Sequence, residues 1–338
     1  MNFSKHWAGT LDDYVIDLAW SPDGNLLAAA SASGGITLFD ATTGAVARRL
    51  RGHEDGANCL GWSNPGSLLA TGGQDGFVRL WDPATGEMRV EHQLGAGWVE
   101  HLAWSPPGTS PHPGHLAVAA GRKLVFLTAQ GSTAHQCPDA PKTVSALAWR
   151  PDGGACAAAC FGHVTIWDAA TFAVHKEFPY ANAILALTWS PDGRWLVAGC
   201  HDNAVHLWVP AEDLELQMSG YESKLKELSF SSDSRWLATG GGRDACVWDC
   251  AGAGPEGREP LLLPQAARTT AVAFQQAHGL LATGDAGGVF TLWSPTRKNP
   301  MVAEVRMPAP ATKFAWRPDD SLLAVGTEQG AVFVFKTA

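Results

Sequence analysis

The stretch "LAWSPDG" at residues 18–24 returns in altered form seven more times along the chain. Each copy is a short apolar run that ends in an aromatic residue and is followed by a turn. The eight aromatic anchors are Trp20, Trp62, Trp104, Trp149, Trp189, Phe230, Phe274 and Trp316. Consecutive anchors are separated by 40 to 45 residues. A chain with one period repeated eight times is built from eight copies of a single structural unit.

Each unit contains four short candidate strands. A Pro-Asp-Gly type turn follows the anchor, and proline, aspartate and glycine each favour a different position of such a turn. A second apolar run such as "LLATGG" (68–73) comes next, then a third such as "FVRLWD" (77–82), then a more polar fourth such as "EMRVEHQL" (87–94). Because no run has a helical period, the sequence predicts an all-β repeat.

Composition limits the classes of partner and the compartment. The 338 residues carry a net charge of −9, so we expect neither nucleic acid nor a membrane as partner, since both require clustered basic side chains. We find no signal peptide at the N-terminus and no apolar run long enough to span a bilayer. The seven cysteines show no CxxC spacing. They predict reduced thiols in a cytoplasmic protein.

Trp-Asp pairs occur at 81–82, 167–168 and 248–249, and a Gly-His pair at 52–53. With these pairs the unit resembles the WD repeat, the blade of a β-propeller. The resemblance covers the chain from about residue 3 to its end and implies one domain over 1–338: a closed, all-β, eight-bladed propeller of four-stranded antiparallel blades. Seven blades, the commoner number, is the alternative. The composition is compatible with a small bacterial member of the family.

The last unit lacks a fourth strand, whereas the N-terminal segment "FSKHWAGTL" (3–11) precedes the first unit. We therefore expect the N-terminal strand to complete the last blade, which would remove open sheet edges.

The second unit carries His53, Thr71, Asp75 and Trp81. Taken alone, these residue types suggest a nucleophile with a base and an orienting acid. The resemblance implies instead a hydrogen-bonded chain that holds the blade together, and we favour this structural interpretation. Only this unit has the full set. In two other units Tyr180 and Tyr221 stand at the position of the histidine.

The resemblance places partner-binding loops on one face, conventionally the top. Aromatic residues are enriched at binding hot spots. The candidate contact residues in these loops are Tyr14, Trp98, Tyr180, Tyr221, His201 and Arg243. The alternatives are that Tyr180 and Tyr221 only replace the frame histidine, and that the polar turn residues form a solvated rim.

A soft-metal site is a weaker hypothesis. Cys160 and Cys200 occupy equivalent positions in neighbouring units, with His163 and His201 close in sequence. Cysteine and histidine are zinc and copper ligands, but buried free cysteine is also a common apolar filler. We expect no bound metal and no cofactor. The His pair of "HPGH" (112–115), in a proline-rich loop, is weaker still.

The sequence contains no GxSxG, P-loop, HExxH or CxxC signature. It therefore favours a non-enzymatic scaffold, monomeric on its own, that binds one or more proteins or peptides through the top loops and the mouth of the central channel. Two alternatives stay open. One is a metal-handling accessory protein with a Cys/His site, and the other is a small-ligand or enzymatic propeller that uses its channel.

Overall fold

The computed structural model describes residues 3–95, 97–107 and 114–337. Over these ranges all regular structure is β-strand, in eight sheets of four strands each. We call each sheet a blade and number the blades in chain order. In the described ranges no helix is long and apolar enough to span a bilayer.

The chain contains two compact units, of which Gly9–Ile184 is one. Its four blades comprise β2 (Val15–Trp20), β3 (Leu26–Ser31), β4 (Ile36–Asp40) and β5 (Val46–Leu50) in blade one; β6 (Ala57–Trp62), β7 (Leu69–Gly73), β8 (Phe77–Trp81) and β9 (Met88–Gln93) in blade two; β10 (Val99–Trp104), β11 (His115–Ala120), β12 (Lys123–Thr128) and β13 (Thr133–Gln136) in blade three; and β14 (Val144–Trp149), β15 (Ala155–Cys160), β16 (Gly162–Asp168) and β17 (Val174–Tyr180) in blade four.

The other compact unit combines Met1–Ala8 with Leu185–Ala338. Its blades comprise β18 (Ile184–Trp189), β19 (Leu196–Cys200), β20 (Val205–Val209) and β21 (Leu214–Met218) in blade five; β22 (Leu228–Phe230), β23 (Trp236–Thr239), β24 (Ala245–Asp249) and β25 (Leu261–Leu263) in blade six; β26 (Thr269–Phe274), β27 (Leu281–Asp285), β28 (Val289–Trp293) and β29 (Met301–Arg306) in blade seven; and β30 (Ala311–Trp316), β31 (Leu322–Thr327), β32 (Ala331–Thr337) and β1 (Phe3–Thr10) in blade eight.

Blade eight draws strands from both ends of the chain. Its order is β1-β32-β31-β30, so the N-terminal strand occupies the outer position that the last unit leaves open. Phe3 stacks on Phe335 of β32, with ring centroids 5.0 Å apart. The predictions of eight blades and of an N-terminal strand that completes the last blade are confirmed. The prediction of a single domain over 1–338 stays a prediction.

The turn after each anchor is closed by its own side chains. In blade one, Ser21 Oγ donates to Asp23 Oδ1 over 2.5 Å, and the same carboxylate accepts the backbone N–H of Asn25. Gly24 then takes a positive φ of 71°, which glycine adopts without steric cost. Blade five repeats the arrangement with Ser190 and Asp192. The Ser-Pro-Asp-Gly pattern is therefore a turn with local hydrogen-bond chemistry.

The anchor tryptophans join the first strands of neighbouring blades. The indole N–H of Trp62 donates to the carbonyl of Ala19, 3.0 Å away in blade one. Trp104 donates in the same way to Gly61, and Trp149 to Ala103. In the other unit Trp316 donates to Ala273. Each indole ring thus adds apolar surface to the packing between blades and also donates a hydrogen bond to a strand carbonyl. This explains why the anchor is mostly tryptophan.

Candidate functional site

Blade two holds the four residues of the predicted frame in one hydrogen-bonded chain. The indole N–H of Trp81 donates to Thr71 Oγ1 over 2.9 Å. Thr71 Oγ1 lies 2.9 Å from Nε2 of His53, and Nδ1 of His53 lies 2.9 Å from Asp75 Oδ1. Because an indole only donates, Thr71 Oγ1 accepts from Trp81, whereas the donor and acceptor roles of the two imidazole nitrogens depend on the tautomer. Nη1 of Arg79 also lies 2.7 Å from Nδ1 of His53.

Two charged residues that the sequence analysis missed extend this frame. Arg79 donates to Asp75 Oδ2 over 2.7 Å and to Glu91 Oε2 over 2.8 Å. Burial lowers the pKa of His53. Burial acts to raise the pKa of Asp75, but hydrogen bonds from Arg79 and His53 outweigh it and hold that pKa below its ordinary value. Both imidazole nitrogens of His53 thus have hydrogen-bond partners within blade two, as a structural frame requires.

Other blades build the same frame from different side chains. In blade six, Trp248 donates to the hydroxyl of Tyr221 over 2.7 Å, and that hydroxyl lies 3.0 Å from Thr239 Oγ1. In blade seven, Gln265 Nε2 donates to Thr283 Oγ1 over 2.8 Å, and Trp293 donates to the same oxygen over 2.7 Å. A phenol and an amide therefore take the position that imidazole holds in blade two.

Tyr221 also borders a cleft at the loops of blades six and seven. The cleft has a volume of about 430 Å³. Its lining includes Arg243, which the sequence analysis selected as a second contact residue, and Leu262, whose side chain is 58% exposed. Arg243 donates from Nε to the carbonyl of Gln265, 3.0 Å away, and its backbone N–H donates to Glu222. The loop that carries Arg243 is thus anchored to Glu222 through its backbone and to Gln265 through its side chain.

The remaining candidate contact residues differ in exposure. Trp98 is 52% exposed, His201 is exposed and Tyr14 is half-buried. Tyr180 is only 8% exposed at the end of β17. Tyr180 therefore presents little surface, and its role as a partner contact stays a prediction.

Among the Cys/His candidates, Cys160 and His163 lie close together. Cys160 Sγ lies 3.7 and 3.8 Å from the ring nitrogens of His163, and burial raises the pKa of this thiol. Cys200 is buried, with Sγ 3.7 Å from the carbonyl of Ala198, whereas His201 is exposed. Over the described ranges no three His, Cys, Asp or Glu side chains are grouped as metal ligands would be. His112 of "HPGH" lies outside the described residues.

The first strands and the loops before them contain half-buried or buried titratable groups that the sequence analysis also missed. Burial lowers the pKa of His101 in β10 to about 4 and raises the pKa of its neighbour Glu100. Glu227, just before β22, is buried, and burial raises its pKa as well. The available signal was a charged residue or histidine inside an otherwise apolar segment, as in "VEHLAW" (99–104).

Comparison with known proteins adds a family and a fold. The family model described as "WD domain, G-beta repeat" matches residues 2–40, 44–82, 170–209 and 214–249. The chain carries WD repeats over these four stretches. No curated protein matches the sequence. The crystal structure of the computationally designed Ika8 protein is similar over 99% of this chain and 100% of its own, with a TM-score of 0.84 and 20% identity. That likeness shows the fold, which is the eight-bladed β-propeller.

Each matched WD repeat is offset from the blades by one strand. The match over 44–82 begins before β5, the outer strand of blade one, and ends at the close of β8 in blade two. The match over 2–40 likewise joins β1 of blade eight to three strands of blade one. WD-repeat propellers are generally non-enzymatic and commonly mediate protein–protein interaction, so function depends on the loops and clefts of the individual chain.

Proposed function

We propose that this protein is a non-enzymatic platform that binds a partner protein or peptide at the cleft of blades six and seven. The observation that carries the proposal is the convergence of Tyr221, Arg243 and exposed Leu262 on one cleft of about 430 Å³. The proposal includes a cytoplasmic location, a monomeric state and no cofactor, with neither nucleic acid nor a membrane as partner. The acidic balance and the seven cysteines, which show no CxxC spacing, support these choices.

The chemistry of the cleft favours an extended peptide segment. Leu262 and Pro264 offer an apolar surface for one side chain of the partner. The terminal nitrogens of Arg243 make no hydrogen bond to the described residues, so they are available to a carboxylate or a backbone carbonyl. We therefore expect the bound segment to place an apolar residue beside a carboxylate or an exposed carbonyl.

The cleft is also pre-organised, which lowers the entropy cost of binding. Gly220 and Gly241 hold positive φ angles of 96° and 84° in the two flanking loops. The backbone N–H of Ser223 donates to Gly241 over 2.8 Å and joins these loops. Binding thus requires little ordering of the platform itself.

Site-specific photocrosslinking tests the proposal. A photoreactive phenylalanine analogue replaces Leu262 in one protein and Met301, 51% exposed on β29, in a matched control. We expect a partner crosslinked from position 262 and not from 301, with the product lost on Arg243→Ala and retained on Arg297→Ala, a change at an exposed arginine outside the cleft. Equal crosslinking from both positions, or none from 262, would refute the proposal.

The recovered partner segment is then synthesised and titrated against purified protein. We expect Arg243→Ala to weaken binding roughly tenfold or more, as for loss of a charge-assisted hydrogen bond. If the segment binds wild type and Arg243→Ala equally, the cleft is not part of the interface.

A further inference from the structure

Blade four contains a cavity of about 210 Å³ where blade two has its hydrogen-bonded frame. Ala140, Ala158 and Trp167 all line it. Ala140 precedes its anchor by nine residues, as His53 does. Ala158 pairs with Leu147 as Thr71 pairs with Leu60, and Trp167 pairs with Cys156 as Trp81 pairs with Leu69. Two alanines thus replace the imidazole and the hydroxyl while the tryptophan is retained.

The cavity combines an apolar wall with a few polar groups. Val144, Ala159 and Leu124 contribute apolar surface. Unlike the equivalent tryptophans in blades two, six and seven, Trp167 donates its indole N–H to no acceptor among the described residues. An apolar cavity of about 150 Å³ is enough to hold a benzene ring, so the cavity in blade four can hold one six-membered aromatic ring.

Blade six indicates which ring suits this position. There the hydroxyl of Tyr221 lies between Thr239 and Trp248, and it accepts the indole N–H of Trp248 directly over 2.7 Å. In blade two the imidazole contacts Thr71, which in turn accepts from Trp81. Blade four has Ala158 in place of that threonine, so a ligand must accept directly from the indole, as Tyr221 does.

We propose that the cavity in blade four binds a small phenol, with the ring against Ala140 and Ala158 and the hydroxyl accepting the indole N–H of Trp167. Its hydroxyl proton is available to the polar side of the cavity, where Thr165 Oγ1 and Glu177 Oε1 lie 3.5 Å apart. This site lies in blade four and is independent of the cleft in blades six and seven. It gives the protein a second, small-molecule specificity.

Titration of the intact ¹⁵N-labelled protein with p-cresol tests the site, and Trp167→Phe assigns the indole resonance. We expect a saturable shift of the Trp167 N–H signal with p-cresol and at least fivefold weaker binding of toluene, which lacks the hydroxyl. Ala140→Tyr, which would fill the cavity from within as Tyr221 does, is expected to abolish the shift. If that variant does not fold, Ala158→Leu serves the same purpose.

Two outcomes would overturn the site: no saturable shift with p-cresol, or an unchanged shift in the cavity-filled variant. Equal binding of p-cresol and toluene would show that the ligand makes no hydrogen bond to Trp167 and that the site is not specific for phenols. N-acetyl-tyrosine amide separates two sources of the phenol. Binding comparable to p-cresol identifies a tyrosine side chain of a peptide, and binding at least tenfold weaker identifies a free phenol.

Discussion

Trp248 donates its indole N–H to the hydroxyl of Tyr221 over 2.7 Å, in the position where Trp81 of blade two donates to a threonine. The tyrosine hydroxyl lies 3.0 Å from Thr239 and so stands between the two partners. Burial raises the pKa of Tyr221, which keeps the phenol protonated. One side chain in blade six thus forms part of the frame and the wall of the proposed binding cleft.

Removal of this hydroxyl gives the first prediction. Tyr221→Phe leaves the indole N–H and the threonine hydroxyl without their partner, and we expect it to lower the free energy of unfolding by about 1–3 kcal/mol. Thr239→Val in the same background is expected to cost less than it does alone, because the hydroxyl has already lost its partner. Urea denaturation of the four proteins of this cycle measures both effects. Strictly additive losses would show that the two hydroxyls do not interact.

The second prediction concerns the turn between β3 and β4. Gly34 has a φ of 103°, and its carbonyl accepts the backbone N–H of His53 over 2.9 Å. A Cβ at Gly34 would lie 1.8 Å from the carbonyl oxygen of His53, so the two loops would have to separate. Gly257 also has a positive φ, of 71°, but a Cβ there meets no atom within 4 Å.

We expect Gly257→Ala to cost about 1 kcal/mol, the price of the left-handed backbone alone. Gly34→Ala is expected to cost about 3 kcal/mol or more, because backbone displacement adds to that strain. Urea denaturation midpoints compare the two variants. Similar losses of stability in both variants would mean that the loop of His53 moves aside at little cost. The close approach of Gly34 to that loop would then contribute little to stability.

The sequence predicted the repeat because its signals are local. An aromatic anchor, a Ser-Pro-Asp-Gly turn and a third strand that ends in Trp-Asp all occur within one unit, so periodicity alone reveals them. Unit eight lacks a fourth strand in the sequence, and this was enough to predict that β1 completes blade eight. Tyr221 also stood at the correct position for the frame.

The clefts and buried charges were harder to predict because they depend on contacts between residues far apart in sequence. The cavity in blade four exists because Ala140 and Ala158, 18 residues apart, are both small, and either one alone has no sequence signature. Arg79 contacts Asp75 of the frame directly, and the pairing of β8 with β9 brings it to Glu91 as well. No other unit has a histidine three residues before its anchor, so periodicity does not single out His101.

The third prediction follows from His101. Burial lowers its pKa to about 4, whereas an unfolded histidine has a pKa of about 6.5. Between these values the unfolded chain binds the proton and the folded chain does not. The contribution of His101 to stability is therefore complete above about pH 6.5 and is lost as the pH falls toward 4.

We expect wild type to lose about 1–2 kcal/mol more than His101→Gln when the pH is lowered from 7 to 5, at about 1.4 kcal/mol per unit of pKa. Urea denaturation at both pH values measures the difference. His6→Gln, at an exposed histidine of β1, controls for the loss of a histidine and should retain the wild-type dependence. An equal pH dependence in wild type and His101→Gln would mean that His101 is protonated in the folded protein.

The fourth prediction tests whether β1 stabilises blade eight. Trp7 is 7% exposed, and His6 beside it on the same strand is exposed, because successive side chains of a strand point to opposite faces. Trp7→Ala removes a large buried ring and is expected to cost about 3–5 kcal/mol. His6→Ala is expected to change stability by less than about 0.5 kcal/mol. Urea denaturation and amide hydrogen exchange of β32 measure the effect. If Trp7→Ala leaves both the midpoint and the protection of β32 unchanged, β1 does not hold blade eight together.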